Sequence, residues 1–129
     1  MSNTLGKAYY YMGRNLEDYH QQVAGAARCY IEADRLQIDD PIYRGRVNSC
    51  MGYICAQNNN DSLALVFYER ASEDFQESGS DWYYAQMLLT ITQHCINLHQ
   101  YLIADSLLQM AQTYPLDRAY QASSQACEP

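Results

Sequence analysis

The chain has 129 residues, of which 48% are hydrophobic and 18% charged, and this size and balance predict one globular domain. Its formal net charge of −7 argues against a nucleic-acid-binding surface, because neutralising phosphates requires clustered Lys and Arg. The 13 Tyr and only three Pro residues favour long helices with aromatic packing over a sheet with many turns.

The sequence shows no targeting or membrane segment. No apolar run approaches the roughly 20 residues that span a bilayer. No basic region followed by an apolar stretch marks a signal peptide at the N-terminus. We therefore expect a cytoplasmic chain without membrane insertion. An excised piece of a longer protein would carry no such address, and the sequence leaves that alternative open.

The five Cys residues are expected to be free thiols. None of them forms a C-x-x-C or zinc-knuckle spacing, and an odd number cannot all pair. A reducing compartment explains this usage. We expect no cofactor and no metal, with unpaired thiols at Cys29, Cys50, Cys55, Cys95 and Cys127.

Apolar periodicity and turn residues predict six helices joined by short loops. In chain order these helices cover residues 4–19, 23–38, 41–57, 61–77, 82–97 and 102–114. Pro115 is expected to end the sixth helix, because proline lacks the backbone N–H that a helix interior requires. A short capping helix is predicted at residues 116–126.

Several predicted helix starts carry residues that can cap free backbone amides, each contributing about 1 kcal/mol. The clearest start is the third, where Asp40 precedes Pro41 and the missing N–H of proline costs nothing at the first helical position. The other predicted caps are Asn3 or Thr4, Asp61, and Ser80 or Asp81.

A stripe at positions i, i+4 and i+7 recurs three times along the chain. Its copies are Ala26, Tyr30 and Ala33, then Ala64, Tyr68 and Ala71, then Ala104, Leu108 and Ala111. The step from residue 26 to 64 is 38 residues and that from 64 to 104 is 40, while Met12-Gly13 recurs 39 residues later as Met51-Gly52. A period of this size with two helices per unit indicates an α-solenoid.

The sequence therefore predicts an all-α fold, a right-handed stack of three antiparallel helical hairpins in one domain that spans residues 1–129. The repeats are expected at about residues 4–40, 41–79 and 80–115, with a tail at 116–129. In the central repeat, Gly52 and Ala64 are expected where the two helices approach closely. Tyr68 is expected to fill the space beside them.

The central repeat resembles the tetratricopeptide family. Gly52, Ala64, Tyr68 and Ala71 match its signature of a small residue late in the first helix, followed by small, aromatic and small residues in the second. The family's Trp is absent from the matching positions. The resemblance covers residues 4 to 115, and the run KAYYYMGR is similar to tetratricopeptide segments of multidomain bacterial regulatory and sensor proteins.

The resemblance implies a non-enzymatic protein–protein interaction module that binds a peptide or partner helix in a concave groove, lined by the first helix of each hairpin. The groove-facing positions of the family fall on Lys7, Arg14, Arg46, Tyr53, Gln86 and Gln93, and Tyr10 lies between the first two on the same face. The alternative is a structural or self-association segment of a longer solenoid, or of a signalling or transcription regulator.

The distribution of charge is consistent with an acidic protein or peptide as partner. Residues 41–57 and 82–97 carry Arg44 and Arg46 but no acid, whereas residues 61–77 carry five acids. This pattern predicts a neutral to basic groove and an acidic outer wall. Arg suits bidentate contacts with carboxylates and stacking on aromatic rings. The simpler interpretation is that these charges only solvate helix faces.

Two constellations that suggest chemistry are explained more simply by packing. Cys95 and His99 are spaced i, i+4, but Cys55 and Cys95 fall on the predicted buried stripe of their helices, and structural zinc needs about four ligands. His94 as a base for a Cys nucleophile would lack an oxyanion-stabilising turn. The chain is therefore predicted not to be an enzyme.

The run of Tyr9, Tyr10 and Tyr11 has two interpretations. A stacking platform for single-stranded nucleic acid would need interleaved cations to follow the phosphates, and these are missing. We instead expect one or two of the rings to pack in the core. The remaining ring would then line the groove, where Tyr is well suited to peptide binding.

Overall fold

A computed structural model describes residues 2–113, which contain six α-helices and no strand. The helices are α1 Ser2–Asp18, α2 Val23–Arg35, α3 Pro41–Gln57, α4 Asp61–Ser78, α5 Asp81–Asn97 and α6 Tyr101–Gln112. The predicted all-α class is confirmed for this part of the chain. The predicted helix at 116–126, the tail at 116–129, the stop at Pro115 and the thiol of Cys127 lie outside the described residues.

Two of the predicted caps are confirmed. The side chain of Asp40 accepts a hydrogen bond from the backbone N–H of Ile42 at 3.0 Å, and Pro41 occupies the start of α3. Ser80 accepts from the backbone N–H of Tyr83 at 3.4 Å and starts α5. Each cap satisfies an amide that the first turn of a helix leaves without a partner.

The predicted cap of the fourth helix is wrong by one residue. Asn60 accepts the hydrogen bond from the backbone N–H of Leu63 at 3.2 Å, and Asp61 is already the first helical residue. There its negative charge lies near the positive end of the helix dipole.

The predicted start of the first helix is also wrong, because α1 begins at Ser2 and so includes Asn3 and Thr4. The side-chain oxygen of Asn3 instead accepts a hydrogen bond from the backbone N–H of Asp39 at 3.0 Å. Asn3 thereby ties the start of α1 to the loop between α2 and α3.

Neighbouring helices pack against one another along the whole described chain. The contacts join α1 with α2, α3 with α4, and α5 with α6, while α2 also packs on α3, α4 on α5 and α1 on α3. One cluster of buried side chains lies among α1, α2 and α3, and two lie among α4, α5 and α6. None of the described helices is both long and apolar enough to cross a membrane.

The closest helix approaches occur where an aromatic ring packs on a glycine, and the shortest is that of a Cβ atom built on Gly45 to the ring of Phe75, at 2.4 Å. A Cβ atom built on Gly52 would lie 2.7 Å from the ring of Tyr68, and one on Gly13 would lie 2.6 Å from the ring of Tyr30. Real Cβ atoms essentially never approach other heavy atoms this closely without a covalent bond. The expected contact of Gly52 with Tyr68 is thus present, and it has a counterpart in the first pair of helices.

The third copy of the repeated stripe departs from the prediction. Ala104 and Ala111 are buried like their counterparts, but Leu108 is 41% exposed. Tyr68, at the matching position of α4, packs against Ile91 and Cys95 of α5. Within the described residues no helix follows α6, so the side chain of Leu108 has nothing to cover it.

Arg44 joins α3 to α4 instead of facing the predicted groove. Its Nε donates to Asp74 at 3.3 Å, its guanidinium also bonds Glu77, and Nδ2 of Asn48 donates to Asp74 at 2.9 Å. Burial raises the pKa of Asp74, although the bonds from Asn48 and Arg44 oppose that rise. This network crosses the α3/α4 interface.

Candidate functional site

Two adjoining cavities open where α1, α3 and α5 come together, with volumes of about 280 and 300 Å³. They share Ser49, Cys50, Met87 and Thr90 and therefore form one continuous surface, which we call the groove. One end of the groove adds Tyr10, Arg46, Phe75, Trp82, Tyr83 and Gln86, and the other adds Arg14, Tyr53 and Tyr68.

The structure brings five of the seven groove residues named from the sequence into this surface. They are Tyr10, Arg14, Arg46, Tyr53 and Gln86. Lys7 lies beside the groove, with its Nζ 4.6 Å from the centre of the Tyr43 ring. Gln93 lines neither cavity, and its exposed side chain donates to Asn97 at 3.2 Å on the same helix.

Arg46 is held between two tyrosine rings. Its Cζ lies 5.4 Å from the ring centres of both Tyr43 and Tyr83, and its Nη2 donates to the hydroxyl of Tyr83. Burial opposes the charge, but the bond with Tyr83 and the nearby tyrosines outweigh it and raise the pKa of Arg46. The guanidinium is therefore a fixed positive charge at this end of the groove.

Arg14 has a different environment, because it is paired with acids of its own helix. Its Nη2 lies 2.9 Å from Asp18 and its Nη1 lies 3.9 Å from Glu17. Nη1 also points at the sulfur of Cys50 across a distance of 3.8 Å. The charge of Arg14 is thus largely compensated before any ligand arrives.

The thiol of Cys50 lies in the floor shared by the two cavities. Burial raises the pKa of this thiol, and the partly opposing contacts with Tyr30 and Arg14 do not reverse the rise. A nucleophilic cysteine needs the opposite shift, because the reactive species is the thiolate. Cys50 therefore contributes a neutral, weakly polar surface.

Aromatic residues that the sequence analysis did not single out form much of the site. The ring of Tyr43 lies 5.7 Å from that of Tyr10, and Tyr83 stacks on Phe75 at 4.7 Å with an interplanar angle of 18°. Tyr83 follows Tyr43 by 40 residues, the length of a repeat step. That recurrence is the sequence signal that marks the two rings as equivalent.

The tyrosine run at residues 9 to 11 divides only partly as expected, because the ring outside the core, Tyr11, lines neither cavity of the groove. Tyr10 is buried and lines the groove, while Tyr9 is half-buried against the first core cluster. Tyr11 is exposed, and its hydroxyl shares a 2.5 Å hydrogen bond with that of Tyr43. Burial raises the pKa of Tyr10 to about 12, so its hydroxyl stays neutral at physiological pH.

The residues considered for metal binding or catalysis do not converge. Cys95 is buried in the core, and His99 shares a 2.8 Å hydrogen bond with the hydroxyl of Tyr101. His94 is paired with Asp61 at 2.8 Å. Within the described residues no group of three or more His, Cys, Asp or Glu side chains could hold a metal ion.

Two further cavities lie outside the groove. The larger, of about 460 Å³, is lined by the end of α2, the following loop and Arg44, whose guanidinium already bonds protein acceptors. The other, of about 230 Å³, is almost entirely apolar and includes Ile31, Leu63 and Phe67. Neither combines an uncompensated charge with aromatic rings as the groove does.

Comparison with protein-family models gives no match, and comparisons with curated proteins and with solved structures give none either. The candidate site is therefore described from the structure alone. It is an open groove between helices, with aromatic walls and two arginines.

Proposed function

We propose that the chain is a stack of three helical hairpins similar to tetratricopeptide repeats, and that it binds a peptide or partner helix in the groove without catalysing a reaction. The pairwise packing of α1 with α2, α3 with α4 and α5 with α6 supports the hairpins. The Gly13–Tyr30 and Gly52–Tyr68 contacts, 39 residues apart at the glycines, support a repeat.

The observation that carries the binding function is the continuity of the groove, for which three helices supply most of the lining and α4 adds Phe75 and Tyr68. Its two cavities share four residues from α3 and α5, and α1 contributes Tyr10 and Arg14. Each of these helices is the first of its proposed hairpin. An elongated surface with aromatic side chains suits a peptide, because rings supply contact area at little cost in conformational entropy.

The charges along the groove favour an acidic partner. Among the described residues that line it, two are Arg and none is Asp or Glu. The chain as a whole carries a net charge of −7, so the groove differs in sign from the molecule that surrounds it. Local complementarity of this kind selects partners and speeds their association.

The binding function is tested by filling the groove. Short peptides without Trp are first selected on the full chain from a random phage library, and their affinities are then measured through the fluorescence of Trp82, which lines the groove and is the only Trp in the sequence. Ser49→Tyr places a ring in the floor shared by both cavities. We expect it to weaken peptide binding by at least about tenfold, a loss of roughly 1.4 kcal/mol.

The matched control is Gln57→Tyr, which adds the same ring at an exposed position of α3 outside the groove. Thr90→Tyr fills the same floor from α5 and serves as a second blocking variant. The proposal is contradicted if the selection yields no peptide. It is also contradicted if both blocking variants bind the selected peptides as tightly as the original chain does.

Self-association is the second candidate function, favoured by exposed apolar residues on the last two helices. Leu102 is 87% exposed, Tyr101 58% and Ile103 52%, and Ile96 of α5 is 42% exposed. Exposed apolar patches of this kind often mark interaction surfaces. Light scattering across a concentration range should then show a rising mass that Leu102→Glu suppresses, whereas a constant monomer mass contradicts self-association.

A further inference from the structure

We infer that Arg46 is the anion subsite of the groove, and that it takes one carboxylate side chain of a peptide whose neighbouring apolar side chain enters the cavity lined by Tyr10 and Met87. This inference rests on the proposed peptide-binding function and adds the chemistry of the partner. It assigns the two arginines of the groove different roles.

The cations around the groove differ in whether a carboxylate pairs with them. Arg14 bonds Asp18 at 2.9 Å, and Lys7 lies 3.8 Å from Asp40. Among the described residues no carboxylate lies within 4.0 Å of a nitrogen of Arg46, so that part of the chain supplies no counter-ion for its charge. A carboxylate from a partner would therefore gain most from Arg46.

The guanidinium of Arg46 is held in place, yet most of its donors are unused. The rings of Tyr43 and Tyr83 hold this group. Within the described part of the chain, the guanidinium donates only one hydrogen bond, to the hydroxyl of Tyr83. The remaining N–H donors are free to bind a carboxylate in the fork geometry typical of arginine. Because the side chain is already held, binding costs little additional rotamer entropy.

A largely apolar cavity lies beside Arg46. That cavity has a volume of about 280 Å³ and is lined mainly by Tyr10, Phe75, Trp82 and Met87 besides Arg46 and Tyr83. Small-molecule pockets usually measure roughly 300–1,000 Å³, so this space suits one or two apolar side chains rather than a whole ligand. A single unpaired cation beside apolar walls fits one carboxylate, whereas a polyphosphate or nucleic acid would need several.

The test compares a selected peptide with its Glu→Gln form on the full chain. We expect the original protein to bind the Glu peptide at least about tenfold more tightly, the range of one charge-assisted bond. Arg46→Gln should abolish that preference, and Arg46→Lys should keep part of it. Arg14→Gln should change the preference less than about threefold, because Arg14 already has acidic partners.

The matched control is Arg70→Gln. Arg70 is also an Arg over an aromatic ring, 5.5 Å from the centre of Phe67, but its side chain is exposed and lies outside the groove. This variant should leave both affinities unchanged. Thermal unfolding of each variant shows whether it folds. If a variant does not fold, the comparison of the two peptides on the original chain still tests the inference.

The outcomes separate this inference from the proposed function. Equal binding of the Glu and Gln peptides, with both still blocked by Ser49→Tyr, overturns the Arg46 subsite and leaves the groove as a peptide site. Peptides unaffected by Ser49→Tyr and Thr90→Tyr overturn the groove itself. Millimolar inorganic phosphate and an oligothymidylate are each tested for displacement of the Glu peptide. If either displaces it from the original chain but not from Arg46→Gln, the assignment to a carboxylate is overturned.

Discussion

The contact between Gly52 and Tyr68 is one of two close approaches of α3 and α4, beside that of Gly45 with Phe75. A methyl group on Gly52 would overlap the ring of Tyr68, which is itself 4% exposed and packed against α5. The ring therefore has little room to move aside. A glycine in a helix costs about 1 kcal/mol relative to alanine, so its presence here indicates that close packing outweighs helix propensity.

Gly52→Leu should destabilise the chain by about 1–3 kcal/mol through overpacking, even though leucine forms helices better than glycine. Gln57→Leu, at an exposed position of the same helix, should change the free energy of unfolding by less than about 0.5 kcal/mol. Urea unfolding of both variants measures the difference. Equal midpoints would show that the close approach at Gly52 is absent in solution.

The arginines show how far individual site residues can be predicted from the sequence. The groove-facing positions implied by the family resemblance included Arg14 and Arg46, and both line the groove. The i, i+4 spacing of Arg14 and Asp18 is a local sign of their pairing. The surroundings of Arg46 have no such sign, because the Tyr83 ring reaches it from a different helix. Contacts between α3 and α5 leave no local pattern in either segment.

At the scale of helices, prediction succeeded where short-range chemistry decides the boundary. Asp40 followed by Pro41 predicted the start of α3 to the residue, because a cap and the fixed φ of proline act within one turn. The ends of α2 and α6 were placed two to three residues too late. Neither segment ends in a glycine, so the periodic pattern alone had to fix the boundary.

The start of α4 illustrates a choice between adjacent capping residues. Asn60 and Asp61 can both cap a helix, and the sequence pattern does not rank them. The structure selects Asn60, while Asp61 bonds His94 of α5 at 2.8 Å. Contact between two helices thus decides which residue serves as the cap.

Asn60→Ala should destabilise the chain by about 1 kcal/mol, since the backbone N–H of Leu63 would lose its acceptor. Ser62→Ala is the control, because Ser62 is exposed in the first turn of α4. It should be neutral or slightly stabilising, as alanine favours helix. Thermal unfolding followed by circular dichroism measures both, and an equal loss for the two variants would exclude the cap.

At the scale of the whole molecule, three surfaces could meet a partner. The groove offers rings and an unpaired guanidinium, the cavity at Ile31 and Leu63 is apolar, and α6 exposes Leu102. The family resemblance implied the first of these surfaces. It could not indicate the exposure of α6, because that depends on what lies beyond the repeated units.

The most direct test of the central claim is to map a selected peptide onto the full chain by amide chemical-shift changes in nuclear magnetic resonance. We predict that the largest changes fall on Tyr10, Ser49, Met87 and Thr90, and that Ser49→Tyr removes them. Changes centred instead on the cavity that contains Ile31, Leu63 and Phe67, with the groove undisturbed, would contradict the account.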